Sequence, residues 1–386
     1  MRATRALIHL DNLRSNILQI KSCTSPSVKM CIAVKADAYG HGALECAKVA
    51  AECGADYLAI ATVDEGRQLR EGGIKLPLLM LSLCSPEEVK DAVSLDITPL
   101  LFDIEYASLF SQECINAGKK NYPVHLAVDT GMGRIGCLPE EAGILAKDIS
   151  CLGGIVIAGM CTHFAVSDSL KKEDELYTKK QFELFKKAIE NVKAQGINPG
   201  ICHCCNSAAT LNNPEMHMDM VRPGIIVYGY YADEVSREFL EAKGIKIDLQ
   251  PVMTFETEIC SIRNFEKGKS VGYGCTWKAE KDTCIGILPV GYDDGMFRRF
   301  SSAGIKVAVN GHNCPVRGRI CMDQCMIELE DDKTRRWDKA VIFGDKRFGA
   351  LQTADDLARL TSTISYEITC GVSKRVPRVF LTSLTR

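Results

Sequence analysis

The sequence lacks any apolar run near the roughly 20 residues needed to cross a membrane, and residues 1–6 lack the apolar core of a signal peptide. It also lacks an excess of one charge, because 47 lysines and arginines face 49 aspartates and glutamates. A nearly neutral chain offers little attraction to nucleic acid or to an anionic lipid surface. We therefore expect a cytoplasmic protein with neither a membrane nor a nucleic-acid partner.

The regular cysteine spacing of a disulfide framework is also missing, although the chain has 19 cysteines. Their number is odd, and Cys31, Cys161 and Cys260 lie inside strand-like apolar runs, as buried small hydrophobic residues do. The densest group, Cys202-His203-Cys204-Cys205, has no second Cys-x-x-Cys elsewhere in the chain to pair with, and neighbouring residues of a strand point to opposite faces. The sequence therefore predicts reduced thiols and no metal site.

The length of 386 residues favours two domains, and the predicted fold class is α/β. In residues 1–240, short apolar runs alternate with helical stretches, which is typical of a parallel (β/α)8 TIM-type barrel. An open doubly wound sheet stays the alternative, because counting strands does not prove closure. Residues 241–386 predict a mostly antiparallel β domain. The eight apolar runs are 29–35, 57–61, 77–81, 97–102, 124–129, 154–163, 200–205 and 220–230.

One lysine lies where a barrel would use it for chemistry. Residues 30–34 predict a buried strand, Lys35 follows at its carboxyl end, and Gly40 and Gly42 precede a helix that begins near Ala43. Burial lowers the pKa of an ammonium group, and the neutral amine can form a Schiff base. Other polar side chains follow later strands, at the end of a barrel where catalytic groups collect. They are Asp129, Arg134, His163, His203, Asn206, Ser207 and Arg222.

Ten short motifs, in this order and over nearly the whole chain, resemble those of alanine racemases, which are pyridoxal-phosphate enzymes with a barrel and a β domain. The motifs are AVKADAYGHG (33–42), VDTGMGRIG (128–136), THFA (162–165), HCCNSAA (203–209), VRPGIIVYG (221–229), VGYG (271–274), PVGYDDG (289–295), GRICMDQ (318–324), ISYEI (364–368) and RVPR (375–378). The resemblance implies a homodimer that interconverts L- and D-alanine with pyridoxal 5'-phosphate, and that supplies D-alanine for peptidoglycan.

The resemblance also implies roles for individual residues. Lys35 is expected to hold the cofactor and to act as one base, while Tyr273 enters from the second subunit as the base on the opposite face. Arg222 is expected to pair with the pyridine nitrogen, and a guanidinium donates a hydrogen bond without giving up its proton. The other expected cofactor contacts are Tyr39, His163, Asn206, Ser207, Gly224, Ile225 and Tyr366. The expected substrate contacts are Arg134, Met322 and Asp323.

One position departs from the family pattern. Many members carry a lysine two residues before the aspartate of VDTG, and it becomes carbamylated and steers the arginine. Here that position is Ala127. We expect a small bound anion near Arg134 to take its place.

Three other functions are weighed against alanine racemisation. Serine or another small amino acid could be the substrate, because an apolar pocket rejects an added hydroxyl by a factor of only about 100. Amino-acid decarboxylation is disfavoured, because we would expect an acidic residue rather than Arg222 at the pyridine nitrogen. A carrier that holds pyridoxal phosphate without turnover is disfavoured, because it needs no second base such as Tyr273.

Overall fold

The computed structural model describes residues 2–331 and 333–382, in which strands alternate with helices through the first half and strands dominate the second. The strands are β1 (Arg5–His9), β2 (Lys29–Ala33), β3 (Tyr57–Ile60), β4 (Leu78–Met80), β5 (Ile97–Thr98), β6 (Leu100–Leu101), β7 (Tyr122–Ala127), β8 (Ile155–Cys161), β9 (Ile201–His203), β10 (Met220–Val221), β11 (Met253–Glu258), β12 (Ser261–Phe265), β13 (Ser270–Val271), β14 (Trp277–Lys278), β15 (Thr283–Leu288), β16 (Lys306–Val309), β17 (His312–Pro315), β18 (Cys325–Glu328), β19 (Lys339–Phe343) and β20 (Arg378–Leu381).

The right-handed α-helices are α1 (Leu10–Ser22), α2 (Ala43–Glu52), α3 (Val63–Glu71), α4 (Val89–Ser94), α5 (Ile104–Asn116), α6 (Ala142–Ser150), α7 (Lys172–Ala194), α8 (Ser207–Asn212), α9 (Arg237–Ala242), α10 (Ala354–Leu360) and α11 (Ser365–Cys370). The 3-10 helices are Pro86–Glu88, Pro214–Met216, Ile225–Tyr228, Tyr273–Cys275, Tyr292–Asp294, Arg298–Ser301 and Lys346–Phe348. Within the described ranges, no helix combines the length and the apolar character that a membrane span requires.

The parallel strands of the first half close into a barrel. Neighbours pair in parallel from β2 through β9, and Pro99 divides the fourth barrel strand into β5 and β6 because proline has no N–H to donate. The last strand, β10, pairs in parallel with the first, β2, at Met220 and Lys29. On its other side, the Arg222 N–H donates to the Cys205 carbonyl over 2.9 Å. The prediction of a barrel is confirmed, and the open doubly wound sheet is wrong.

The eighth apolar run is shorter as a strand than the sequence predicts. Only Met220–Val221 is extended, and residues 225–228 form a 3-10 helix whose side chains are all buried. Pro223 cannot donate to a strand ladder, and Gly224 takes backbone angles outside the strand region. A continuous apolar run does not distinguish a buried strand from a buried helical turn. The prediction of one strand over 220–230 is therefore wrong.

The first strand joins the second half of the molecule. β1 pairs antiparallel with β11, with Ala6 opposite Phe255, and parallel with β20, with Ile8 opposite Phe380. It thereby lies inside a six-stranded sheet ordered β17-β16-β19-β11-β1-β20. The division of the chain near residue 240 stays a prediction, and β1 crosses it.

Helices pack on the barrel through narrow faces of small side chains. In α2 the buried residues Ala43, Cys46, Ala47 and Ala50 recur at the spacing of one helix face. The cysteines follow the same logic, because all 19 are free and most are buried. They fill space as small apolar groups.

Asn16 of α1 bonds both to the end of the barrel, at Val227, and to the segment that leads to the second half, at Gln250. Its Nδ2 donates to the carbonyl oxygens of Val227 (3.0 Å) and Gln250 (2.9 Å), and its Oδ1 accepts from the Gln250 N–H (2.8 Å). The Asn16 side chain is fully buried. Water does not reach this buried site, so losing these bonds would leave backbone groups unpaired at a cost in free energy. The Asn16 side chain therefore fixes the start of the second half against α1.

We predict that Asn16→Ala lowers the free energy of unfolding by about 3 kcal/mol, because it leaves buried backbone groups unpaired. Gln19→Ala is the matched control. Gln19 lies one turn further along α1 and makes analogous bonds to the Asp248 backbone at the surface, so we expect a loss below about 1 kcal/mol. Denaturant unfolding of both variants checks this, and equal losses would contradict the role given to Asn16.

Candidate active site

Lys35 begins a turn of left-handed helix. Residues 36–39 all have φ between 52° and 55°, although none is glycine. This conformation costs L-residues about 1–2 kcal/mol each, so surrounding contacts must hold it. The Glu65 carboxylate accepts the Ala36 N–H over 2.7 Å, and the Asp37 carboxylate accepts the Ala43 N–H over 2.7 Å. The turn fixes the direction in which Lys35 leaves β2.

Glu65 also caps the helix α3, and the sequence indicates this role but not the bond to Ala36. The segment Thr62-x-x-Glu65 is a capping box at the start of α3. The other Glu65 oxygen accepts the N–H groups of Ala61 (2.7 Å) and Thr62 (3.3 Å). One carboxylate therefore holds both the start of a helix and the lysine turn. Its reach to Ala36 has no signal in the local sequence.

The pKa of Lys35 is lowered by burial and, further, by the positive charges of Arg134 and Arg222, against an opposing effect of Glu65. Burial disfavours the ammonium form, and nearby cations do the same. A larger share of the amine is neutral than at an exposed lysine. Lys35 is thus suited to act as a nucleophile or as a base.

A small cradle of donors lies beside this turn. The Gly224 N–H donates to the Ser207 hydroxyl over 2.8 Å, and a Cβ built on Gly224 would fall 2.7 Å from the Tyr39 hydroxyl oxygen. The Tyr39 ring meets the Tyr366 ring edge-on at 5.5 Å. Buried Ile225 continues the chain from Gly224. The predicted residues Tyr39, Ser207, Gly224, Ile225 and Tyr366 therefore come together.

The tyrosines of the cradle keep their protons. Burial raises the pKa of Tyr39, and the neighbouring Tyr366 raises it further. Burial also raises the pKa of Tyr366, although a hydrogen bond with Ser207 opposes it. The cradle thus presents neutral hydroxyl groups that can donate to an anion.

Asn206 stabilises the cradle by capping the helix that carries Ser207. Its side-chain oxygen caps α8 by accepting the Ala209 N–H (3.1 Å), and it also accepts the Ser167 hydroxyl (2.9 Å). Through these bonds Asn206, which the sequence analysis expected at the cofactor, stabilises the first turn of α8, where Ser207 lies.

Arg222 lies buried at the centre of the barrel end, with its side chain among acceptors. Nη1 donates to Nδ1 of His203 over 2.7 Å. Nη2 donates to the Thr162 carbonyl (2.9 Å), the Cys204 carbonyl (3.2 Å) and Nδ1 of His163 (3.3 Å). Burial and the charge of Arg222 lower the pKa of His163 to about 3, so its ring is neutral near physiological pH.

The remaining predicted residues lie on the second half of the chain. Tyr273 opens a 3-10 helix with 69% of its surface exposed, and Met322 is 51% exposed. Within the described ranges, no hydrogen bond or ion pair joins either side chain to the barrel. The structure does not bring them to the Lys35 site of the same chain.

Asp323 leads to an ion-pair network that the sequence did not predict. Arg375 pairs with Asp323 (2.7 Å), Asp293 (2.7 Å) and Asp294 (2.6 Å). The Asp293 N–H also donates to the Met322 carbonyl over 3.1 Å. The network therefore fixes the loop that carries Met322 and Asp323. Motifs 289–295 and 375–378 were visible in the sequence, but nothing in them shows that their charges meet.

Arg134 is exposed, and no hydrogen bond or ion pair engages its side chain in the part of the chain that the structure describes. Its charge nevertheless lowers the pKa values of Lys35 and His163, so it lies near both. Ala127 is buried in β7 and offers no charge. The small anion expected here stays a prediction. The described residues contain no cluster of three or more His, Cys, Asp or Glu side chains arranged for a metal ion.

The fold and the site together define a barrel that carries a lysine of lowered pKa, a buried guanidinium and an anion cradle at one end. The family profile "Alanine racemase, N-terminal domain" matches residues 8–232, and "Alanine racemase, C-terminal domain" matches residues 252–380. The alanine racemase of Treponema denticola is 47% identical over 384 residues, covering 99% of each chain.

Solved structures agree over the whole fold. The alanine racemase of Clostridium difficile 630 is 36% identical with a TM-score of 0.92, covering 99% of this chain and 97% of that one. The Bacillus anthracis alanine racemase with bound L-Ala-P is 32% identical with a TM-score of 0.91, covering 99% and 96%. The chain belongs to the alanine racemase family, which is a family of isomerases.

We predict that Asp294→Asn destabilises the protein by about 1–3 kcal/mol near neutral pH. Asp294 is fully buried and also accepts from Arg2 (2.7 Å) and the Gly291 N–H (2.9 Å). Burial raises the pKa of its carboxyl, but the bonds from Arg375, Gly291 and Arg2 outweigh burial and lower it.

A carboxylate with a lowered pKa stabilises the fold above its unfolded pKa of about 3.9, and that stability is lost as pH falls through the folded pKa. The difference between wild type and Asp294→Asn should therefore shrink on going from about pH 7 to pH 3. Asp64→Asn is the control, because Asp64 is 90% exposed. Unfolding free energies that differ equally at every pH would contradict the role of the ionised Asp294.

Proposed function

We propose that this protein interconverts L- and D-alanine by two-base racemisation on pyridoxal 5'-phosphate. One observation carries the proposal: a lysine of lowered pKa lies near the buried Arg222 at the end of a barrel that also carries a cradle of hydroxyl groups. Membership of the alanine racemase family supports it. The substrate class is a small amino acid.

The residues present fit the cofactor. Only glycine leaves the space beside the Tyr39 hydroxyl open, because a Cβ on Gly224 would come within 2.7 Å of it. Ser207, Tyr39 and Tyr366 and the backbone at Gly224 and Ile225 would hold the phosphate, which needs several donors in a concave site. Lys35 would hold the cofactor covalently through Nζ until the amino group of the substrate takes its place, which would free Nζ to act as a base.

The chemistry that bound pyridoxal phosphate supplies is delocalisation of the electron pair left behind when the Cα proton departs. Nζ of Lys35 takes or returns that proton on one face, and the phenolic oxygen of Tyr273 does so on the other. A proton returned to the face it left restores the starting enantiomer, so racemisation needs both bases. The lowered pKa of Lys35 suits it to this role at neutral pH.

Arg222 would donate to the pyridine nitrogen while keeping its own proton. The electron pair is then drawn away less strongly than with a carboxylic acid in that place. This favours rapid return of a proton over the slower reactions that long-lived carbanions permit. His163, neutral beside Arg222, would contact the cofactor ring, and Arg134, Met322 and Asp323 would contact the substrate.

The second base requires a second copy of the chain. Tyr273 and Met322 are exposed on the β-rich half, and we propose that they complete the barrel site of a partner in a homodimer. The enzyme would act in the cytoplasm and supply D-alanine for peptidoglycan.

Serine racemisation is the second candidate, since the same bases would serve it. The relative from Bacillus anthracis holds L-Ala-P, which favours a methyl side chain. A non-catalytic carrier of pyridoxal phosphate has less support, because it gives Tyr273 no role.

We predict that the protein loaded with pyridoxal phosphate brings L-alanine to a 1:1 mixture of enantiomers, and L-serine more slowly. Tyr273→Phe should reduce kcat by at least about 100-fold while the bound cofactor's absorbance stays unchanged, because only one base is lost. Chiral chromatography of the products checks both. Faster conversion of serine would change the substrate, and no conversion of either with cofactor bound would overturn the two-base assignment.

We predict that two inactive variants restore each other when their subunits exchange. A hybrid dimer of Lys35→Ala and Tyr273→Phe has one site with both defects and one with neither. Random exchange of an equal mixture should therefore recover about a quarter of wild-type activity. Each variant exchanged with itself is the control. No recovery after exchange, verified by tagged subunits, would show that both bases come from one chain.

A further inference from the structure

We propose that His125 is a positioning residue for Arg222, which it controls through His203. The inference rests on the proposed function, because it explains how the chain holds the guanidinium expected at the pyridine nitrogen. His125 lies on β7 inside the barrel, and within the described ranges no hydrogen bond joins it to a residue of the anion cradle. Neither the motifs nor the family resemblance gave it a role.

The direction of each proton follows from the donor capacity of Arg222. A guanidinium only donates, so Nδ1 of His203, which lies 2.7 Å from Nη1, must offer a lone pair. A neutral His203 then carries its proton on Nε2. That nitrogen lies 2.9 Å from Nδ1 of His125, so His125 must accept there and carry its own proton on Nε2. The tautomer of His203 is thus matched to a donor on one side, Arg222, and to an acceptor on the other, His125.

Both rings are neutral. His125 and His203 are fully buried. Burial and the charge of Arg222 lower the pKa of His125 to about 3, and the same causes lower the pKa of His203 well below its usual value. A proton on either ring would add a second cation to the buried network of Arg222, and within the described ranges no ion pair with a carboxylate engages either ring.

The hydrogen bonds that start at Arg222 and pass through His203 end at an unpaired donor, the Nε2–H group of His125. Nε2 of His125 is buried and has no hydrogen-bond partner among the described residues. An unpaired buried donor is costly, and without His125 that donor would be the N–H of His203 itself. His203 could then relieve the cost by turning its N–H toward another acceptor, which would take Nδ1 away from Arg222. His125 moves the unpaired donor one ring away from the guanidinium.

Gly159 makes room for His125. The two residues lie opposite each other in the β7–β8 register. A Cβ on Gly159 would fall 2.5 Å from Cε1, 2.6 Å from Nε2 and 2.7 Å from Nδ1 of His125. The imidazole therefore lies flat over the glycine, and any side chain at 159 would displace it. This gives a way to move His125 without removing any of its nitrogen atoms.

The test compares His125→Asn with His125→Leu in the full-length, cofactor-loaded protein. The Asn side-chain oxygen can accept from His203 where Nδ1 of His125 does, whereas Leu fills space without an acceptor. Nitrogen-15 NMR of the protein labelled at its seven histidines reports which ring nitrogen carries each proton. The absorbance spectrum of the bound cofactor reports the environment of its ring.

In the wild type we expect both His125 and His203 to carry the proton on Nε2 from about pH 5 to pH 8, well above their lowered pKa values. His125→Asn should preserve the His203 tautomer and the cofactor spectrum, with kcat within about threefold of wild type. His125→Leu should lose the single tautomer, shift the spectrum and lower kcat about tenfold. Gly159→Ala should shift the His203 signals in the same direction, and it serves as the test if His125→Leu does not fold.

A proton on Nδ1 of His203 in the wild type would overturn the inference. So would equal effects of Asn and Leu on the His203 signals and the spectrum, because a purely space-filling His125 predicts that result. The proposed function fails separately, if wild-type protein binds no cofactor or racemises no amino acid. The tautomer measurement on the full chain then still decides whether His125 fixes His203.

Discussion

The structure depends on one buried positive charge. Arg222 has only 6% of its surface exposed, at the closing strand of the barrel. A buried cation must have hydrogen-bond acceptors. Two backbone carbonyls and two imidazole nitrogens supply them. This requirement explains why histidines gather at this end of the barrel, and why they are neutral. The same charge helps lower the pKa of Lys35.

The placement of the lysine depends on strain that other elements offset. Four successive non-glycine residues in the left-handed region, residues 36–39, would not hold this shape alone. Glu65 holds the first of them from α3, and Gly40 lets the turn pass where a Cβ would lie 2.3 Å from the Thr369 carbonyl oxygen. The direction of the Lys35 side chain is thus set by α3, which carries Glu65, and by α11, which carries Thr369, more than by its own strand β2.

The sequence was informative where local chemistry determines structure. Apolar runs ending in polar residues predicted the barrel and brought Lys35, His163 and Arg222 together correctly, because parallel strands place their ends on one rim. It was uninformative where distant segments meet. No local pattern assigns β1 to the sheet of the second half, joins Glu65 to Ala36, or brings Arg375 to three aspartates. Of the site residues on the second half, Tyr366 reaches the cradle of its own chain, whereas Tyr273 and Met322 are exposed.

The second half shows how side chains that we propose to act in a partner subunit are supported within their own chain. Met322 and Tyr273 are exposed, so the barrel of their own chain does not position them. The backbone of Met322 is instead held from within, through the Asp293 N–H and through Arg375, which joins Asp323 to the buried Asp294. A side chain offered to another subunit loses less entropy on docking when its loop is already ordered. The ion pairs around the buried Asp294 therefore order the loop of Met322 and Asp323, which suits the substrate contact that we propose for these two residues.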